Sequence, residues 1–362
     1  MLLYSCISLV LFVTLIISIT DCRNNGELKI RRNICFGKSI YTFSFICLLL
    51  LFWFLTAFRG DSIGNDTVSY LHYYEEIAKN GINTNWNVEL GYQYFCLLLS
   101  KLNPDPYFIL TVSATICYGI CGIYIYKNSD NILYSVCFLF CVAFSFFTSG
   151  IRQSIAMVIV LIAYQMIRKN RYIVAIILIL LATLFHTTAV VAFLWLAHKF
   201  VPKKPVYVII LALTTTILAA SGVMNSLLAA ILVKYQGYFY SENVGTGWLG
   251  IACDSLRAVV FYLFTYFACK EEQEKKSLVV SNTVLLLFTI CLGFSVNLFK
   301  RVSLYFLLPI VVDLPNVFNS GKIRNREIWM LIIGIVMIAY FMVILIFRPE
   351  WNNLYPYEFN WS

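Results

Sequence analysis

Apolar runs of roughly 15 to 22 residues, separated by short polar loops, repeat along the whole chain, as expected of helices that satisfy every backbone hydrogen bond within lipid. Leu2 to Thr20, Ile40 to Phe58, Tyr107 to Tyr126, Ile132 to Thr148, Ile151 to Ile167, Val206 to Ser221, Trp248 to Cys269, Leu278 to Leu298, Val302 to Phe318 and Ile328 to Phe347 each read as one crossing. Tyr172 to Phe200 is different. Its 29 residues would make a helix of about 43 Å, long for a hydrocarbon core of about 30 Å. As one span it leaves Lys199, Lys203 and Lys204 on the outer face. As two short segments meeting at Phe185-His186-Thr187-Thr188 it returns them to the basic side, and this broken form is preferred. The count is then about twelve transmembrane segments. Gly91 to Leu102 is too short to span and is placed at the outer interface, ended by Asn103-Pro104-Asp105-Pro106.

Composition agrees with this pattern. The chain is 60% hydrophobic and 12% charged, with a mean hydropathy of +0.80, which makes it an all-α polytopic integral membrane protein, residues 1–362 forming a single membrane domain. A net charge of +9 would suggest nucleic acid in a soluble protein. Here most basic residues sit in short loops, such as Arg23 to Lys38, Arg168 to Arg171 and Lys322 to Arg326, and read as topology signals, with no nucleic-acid partner. These loops are expected to be cytoplasmic. The long loops 59–90 and 222–247 and the tail 348–362 are then external. The twelve cysteines form no CxxC pair and no His/Cys cluster, so neither a metal nor a cofactor is expected. Cys117/Cys121 and Cys137/Cys141, one helical turn apart, read as small buried thiols. No cleavable leader is expected, because the run from Leu2 lacks a basic start. The sequons at Asn65 and Asn360 fall on the external side, where chance explains them as well. Tyr235, Tyr238 and Tyr240 suit an interfacial aromatic belt better than sugar stacking.

Against this background the polar residues at membrane depth need a reason. Thr148-Ser149-Gly150-Ile151-Arg152-Gln153-Ser154 puts an arginine and an amide between two apolar runs. An arginine there faces a polar cavity or an anion, because lipid makes the charge expensive. Gly150 is expected to allow a sharp turn that leaves Arg152 and Gln153 in the first turn of the next helix, where backbone amides also attract anions. The alternative is an arginine snorkelling to the interface. The topology brings Arg59, Arg152, His186, Asn297, Lys300 and Arg301 to the outer ends, with Asp66 and Glu89 in the adjoining loop. Guanidinium groups suit phosphate through paired, charge-assisted hydrogen bonds, and the imidazole or a carboxylate supplies a base. Each residue also has a plain structural reading: His186 as a satisfied core histidine, Arg301 as a snorkelling end residue, Asp66 as the N-cap of a helix starting near Thr67.

The ordered set Arg59-Gly60, Ile63-Gly64-Asn65-Asp66-Thr67 with Tyr70, Glu89-Leu90-Gly91-Tyr92, Gly150 to Ala156, Phe185-His186-Thr187-Thr188-Ala189, and Arg301 with Tyr305 resembles the EpsG-type branch of the Wzy polysaccharide polymerases. Thr187-Thr188 departs mildly from the family pattern and keeps a hydroxyl. The resemblance implies a GT-C-like polymerase architecture in the bacterial inner membrane, with an active site facing the periplasm or exterior. It implies that repeat units carried on undecaprenyl diphosphate are joined into a capsular, O-antigen or exopolysaccharide chain, with a flippase and a chain-length regulator as candidate partners. On that reading His186, Arg152 and Arg301 are catalytic: the arginines stabilise the leaving diphosphate, and His186 takes the acceptor proton. Asp66 is the rival base. Arg59, Asp66, Tyr70, Glu89, Tyr92, Gln153, Asn297 and Tyr305 bind substrate. Two other functions fit the hydropathy: a flippase for lipid-linked oligosaccharide, with basic residues along a path, and a membrane acyltransferase using His186.

Overall fold

The computed structural model describes residues 1–24, 36–223, 248–269, 277–295, 298–320 and 323–361. Asn297, Lys29, Arg31, Arg32, Lys322, Ser362, the loop 270–276 and the tyrosines expected in the belt at 235–240 lie outside the described residues. The elements in chain order are α1 (Leu2–Asn24), α2 (Phe36–Ala57), α3 (Thr67–Asn80), α4 (Leu90–Ser100), α5 (Phe108–Asn128), α6 (Ile132–Ser149), α7 (Ile151–Arg168) and α8 (Tyr172–Thr183). A 3-10 segment (Thr187–Ala197) follows, then α9 (Pro205–Ala220), α10 (Trp248–Cys269), α11 (Ser277–Leu292), α12 (Leu298–Leu307), α13 (Ile310–Asn319) and α14 (Arg326–Phe347). Seven helices among the described residues, α1, α2, α5, α6, α7, α10 and α14, are long and apolar enough to cross a membrane. The protein is all-helical and multi-pass.

One departure from the expected spans has a local cause. The run expected as one crossing from Val302 to Phe318 begins at Leu298 and divides into α12 and α13, bent by 44°. Pro309 stands at the break, and a proline can neither donate the helical hydrogen bond nor accept a preceding turn without a clash. The long run from Tyr172 also divides, at the expected place: α8 ends at Thr183, His186 is extended, and an eleven-residue 3-10 segment continues. Such runs seldom exceed four residues in 3-10 form.

Helices α6 and α7 form the centre, with 78% and 67% of their span residues buried, against 33% in α1, α2 and α14. The outer helices present Leu9, Phe43, Ile46 and Val336 outward, the surface expected of lipid-facing helices. Helix α6 packs rings instead: Phe140 lies 4.5 Å from both Phe144 and Phe52, centroid to centroid. Because lipid tails are as apolar as the core, such close packing, together with interhelical hydrogen bonds, holds the bundle. Asn131 starts α6, its side chain accepting from the Tyr134 N–H at 3.0 Å and donating to the Ser18 carbonyl of α1 at 3.2 Å. At the same end the buried Asp313 of α13 accepts from Arg168 at 2.9 Å and from the Tyr164 hydroxyl at 2.6 Å, tying α13 to α7.

Candidate active site

At the other end of the bundle α6 turns into α7 through one residue, Gly150. Its φ of −107° lies outside the left-handed region, so the expected need for glycine's conformational freedom is not what the turn shows. Space is the better reason, since a Cβ there would lie 2.8 Å from the end of the Phe146 ring. As expected, Arg152 and Gln153 fall in the first turn of α7.

Two glycines seat the neighbouring segments on this corner. Gly64 adopts φ +88°, and a Cβ would lie 2.3 Å from the Thr148 carbonyl oxygen, so the chain before α3 can rest directly on the end of α6. Gly91 approaches Leu184 so closely that a Cβ would come within 2.5 Å of the leucine Cβ. That contact presses the start of α4 against the break after α8. Glu89, the residue before α4, therefore meets His186 at the break and Arg152 on α7.

The Glu89 carboxylate is the hub of this cluster. One oxygen accepts from Arg152 Nη1. The other lies 3.3 Å from His186 Nδ1 and accepts from the Thr187 N–H at 3.2 Å and the Thr187 hydroxyl at 3.3 Å. The His186 contact is an ion-pair distance without hydrogen-bond alignment, leaving the buried Nδ1 short of a partner. Burial raises the Glu89 carboxyl, but the contact with His186 and the charge of Arg152 outweigh it and hold the group down at about 2. Tyr70 stands beside Arg152, with the ring of Tyr92 edge-on to it at 5.9 Å. The Tyr92 hydroxyl and Arg152 Nε are buried without hydrogen-bond partners.

On the other side of the Gly150 corner lies a cavity of about 470 Å³. Asn65, Asp66, Ser149 and Gly150 edge it, together with residues of α6, α10, α12 and α14 and of the C-terminal tail. Arg257, Lys300, Arg301 and Arg348 supply its positive charge. Asp254, 3% exposed, accepts from Arg257 at 2.8 Å and from the Tyr340 hydroxyl at 2.9 Å, and lies 3.4 Å from Lys300 Nζ. The tail supplies one wall. Its Trp351 ring lies 4.6 Å from Lys300 Nζ and 5.7 Å from the Arg348 guanidinium carbon. Gln153 joins the cavity to the hub by donating to the Arg301 carbonyl at 2.8 Å.

The residues expected from sequence thus fall into three groups. Arg152, His186, Glu89, Tyr70 and Tyr92 gather at the hub; Arg301 and Asp66 line the cavity, and Gln153 connects the two. Asp66 precedes α3 at the N-cap position, yet its side chain makes no capping hydrogen bond. Tyr305, 1% exposed, shares a 3.2 Å hydrogen bond with the Thr188 hydroxyl. Arg59 stands apart. It is fully buried, donates to the Thr56 carbonyl and to the Thr67 hydroxyl at 3.4 Å, and its Nη2 is unpartnered. Burial lowers its guanidinium to about 10 against the opposing effect of Tyr357, Tyr118 and Tyr70, so it stays cationic at neutral pH. Asp254, Arg257, Arg348 and Trp351 were not singled out from the sequence. Asp254 and Arg257, three residues apart on one face of an apolar helix, carried the readable signal. Among the described residues no group of three or more His, Cys, Asp or Glu side chains is arranged to hold a metal ion.

No curated protein and no solved structure matches this chain. The model of the EpsG family matches residues 42–359, a span that takes in the hub, the cavity and most of the tail that walls it. With that match covering most of its length, the chain belongs to the EpsG family, a family of Wzy-like polymerases.

Proposed function

We propose that the protein joins lipid-linked oligosaccharide repeat units into a polysaccharide on the outer face of the bacterial inner membrane. The observation that carries this reading is the Glu89 carboxylate, which gathers Arg152 and His186 from separate segments beside a basic cavity, in a chain of the EpsG family. Glu89 stands 3.3 Å from Nδ1 of the imidazole, and the other ring nitrogen, Nε2, is the one that accepts a proton. A hydroxyl of the acceptor sugar attacks the anomeric carbon of the growing chain. The carbon–oxygen bond to the lipid diphosphate breaks, the hydroxyl proton passes to His186, and the diphosphate departs. Direct attack inverts the anomeric configuration. Positive charge placed in advance, where negative charge develops, lowers the barrier because no reorganisation is needed during the reaction.

Glu89 was expected to bind substrate. Its oxygens are already occupied by Arg152, His186 and Thr187, so we assign it the orienting role instead. Asp66, half-buried at the cavity edge, is the carboxylate left to meet a sugar.

The test is chain growth in proteoliposomes from purified undecaprenyl-diphosphate-linked repeats. Wild-type protein should give a ladder with no transport partner present. His186→Ala should abolish it at unchanged protein abundance. Arg152→Lys, which keeps the charge but loses the planar fork, should shorten products severely. Movement of lipid-linked repeats across the bilayer without any ladder would identify a flippase instead.

A further inference from the structure

The loop that leads into Glu89 carries groups that the hub does not use. Gly81, at φ +77°, ends α3, and from Asn80 to Val88 no side chain is ionisable. Four of those nine residues are asparagine, and one is Trp86. The segment is held in one shape by a single side chain. Gln93 of α4, fully buried, accepts from the Asn83 N–H at 2.9 Å and donates to the Asn83 carbonyl at 3.1 Å and the Val88 carbonyl at 3.0 Å. Within this clamp the Asn83 side chain accepts from the Asn85 N–H at 3.0 Å.

What the clamp presents is polar and uncharged. Thr84, Asn85 and Asn87 are exposed, and among the described residues their side chains make no hydrogen bond with the protein. Trp86 lies between them, half-buried, its ring 5.3 Å from that of Tyr73 on α3, centroid to centroid. A carboxamide both donates and accepts, as a sugar hydroxyl does, and an aromatic ring offers apolar surface to the C–H face of a pyranose. Other ligands fit poorly. A phosphate would find no cation between Asn80 and Val88, and a prenyl chain would leave the amides unpaired.

We propose that Thr84, Asn85, Trp86 and Asn87 form a subsite for the sugar portion of the lipid-linked repeat, fixed beside the hub by Gln93. The assignment rests on the polymerase reading and adds to it a hold on the saccharide that uses neither the charge of Arg152 nor the base His186. Asn87 stands two residues before Glu89, so their Cα atoms are at most about 7 Å apart. A saccharide bound on the loop therefore adjoins the acid that orients the imidazole. Because the clamp orders the loop before the sugar arrives, little conformational entropy is lost on binding.

Two measurements on the full-length protein test the subsite. Binding of lipid-free saccharide, released by mild acid from the lipid-linked repeats, is followed by calorimetry, and polymerisation in proteoliposomes gives KM and kcat for the repeats. Asn85→Ala combined with Asn87→Ala, and separately Trp86→Ala, should each weaken saccharide binding about tenfold and raise KM more than they lower kcat. Trp86→Phe, which keeps a ring, should retain most of the binding. His186→Ala should bind saccharide like wild type while making no polymer. Loss in Trp86→Ala with none in the asparagine pair would make Trp86 an anchor in the membrane interface and overturn the subsite. Displacement of the saccharide by inorganic diphosphate would overturn it too, by placing the contact among the cations. If wild type polymerises and no loop variant moves binding or KM, the subsite is wrong and the polymerase reading stands. Absence of polymer from wild type would instead defeat that reading, whichever residues bind saccharide.

Discussion

Glu89 shows how much one side chain can organise. It meets a guanidinium, an imidazole, an amide and a hydroxyl, and three of these four partners lie at the break after α8. Its carboxyl titrates lower in the folded protein than in the unfolded chain. Its contribution to stability is therefore complete above about pH 4.5, the ordinary value, and disappears as the pH falls toward about 2. The difference in unfolding free energy between wild type and Glu89→Gln should accordingly shrink as the pH falls from about 4.5 toward about 2. Denaturant titrations at several pH values measure this. A difference that stays constant down to about pH 2 would mean that another group, not Glu89, governs the cluster. Legibility at this scale was uneven. Arg152 and His186 were visible because polar groups at membrane depth require a partner, but the carboxylate that partners them looked like one acid among several in a loop. Nothing local to residues 59–90 says which acid turns inward.

Among the elements, α7 is fixed at both ends by charge. Arg152 in its first turn meets Glu89, and Arg168 in its last meets Asp313 on α13. Of the two acids Asp313 is the more deeply buried, 2% exposed against 7% for Glu89. Removing Asp313 leaves Arg168, only partly buried, without its partner, whereas replacing both members of such a pair with apolar residues of similar size is often neutral. Asp313→Ala should therefore lower the melting temperature and the amount of folded protein in membranes. Arg168→Met with Asp313→Leu should recover most of the loss, and a double variant no better than the single one would show that the pair is not what holds α13. The spans themselves were read correctly where hydropathy alone decides, as in α2, α5 and α6. The bend between α12 and α13 was missed, although Pro309 stood in the sequence, because proline is common in membrane helices and only packing decides whether one kinks.

For the whole molecule the unexpected feature is the C-terminal tail, read from the sequence as an external extension. It folds back over the site end. Gly60 N–H donates to the Glu358 carbonyl at 2.9 Å, Asn360 N–H to Phe58 at 3.0 Å, and Gly64 N–H to Asn353 at 3.0 Å. Tyr4 of α1 donates to the Leu354 carbonyl at 2.9 Å, so the two ends of the chain close on each other. Deleting residues 349–362 should remove a wall of the cavity and release the loop before α3. Loss of polymer in cells, together with faster proteolysis within residues 59–66, is the expected outcome. Full polymer length from the truncated protein would show that the tail is dispensable.

By itself, the sequence determined the class of the protein, most of its spans, the break near His186 and the corner at Arg152. Each of these follows from a local cost: an unpaired backbone group or an unshielded charge in lipid is expensive wherever the rest of the chain lies. Tertiary structure decided which acid meets which base, that Arg59 is enclosed by protein while Arg257 faces a cavity, and that the tail completes that cavity. Those outcomes depend on contacts between residues far apart in the chain, and hydropathy carries no record of them.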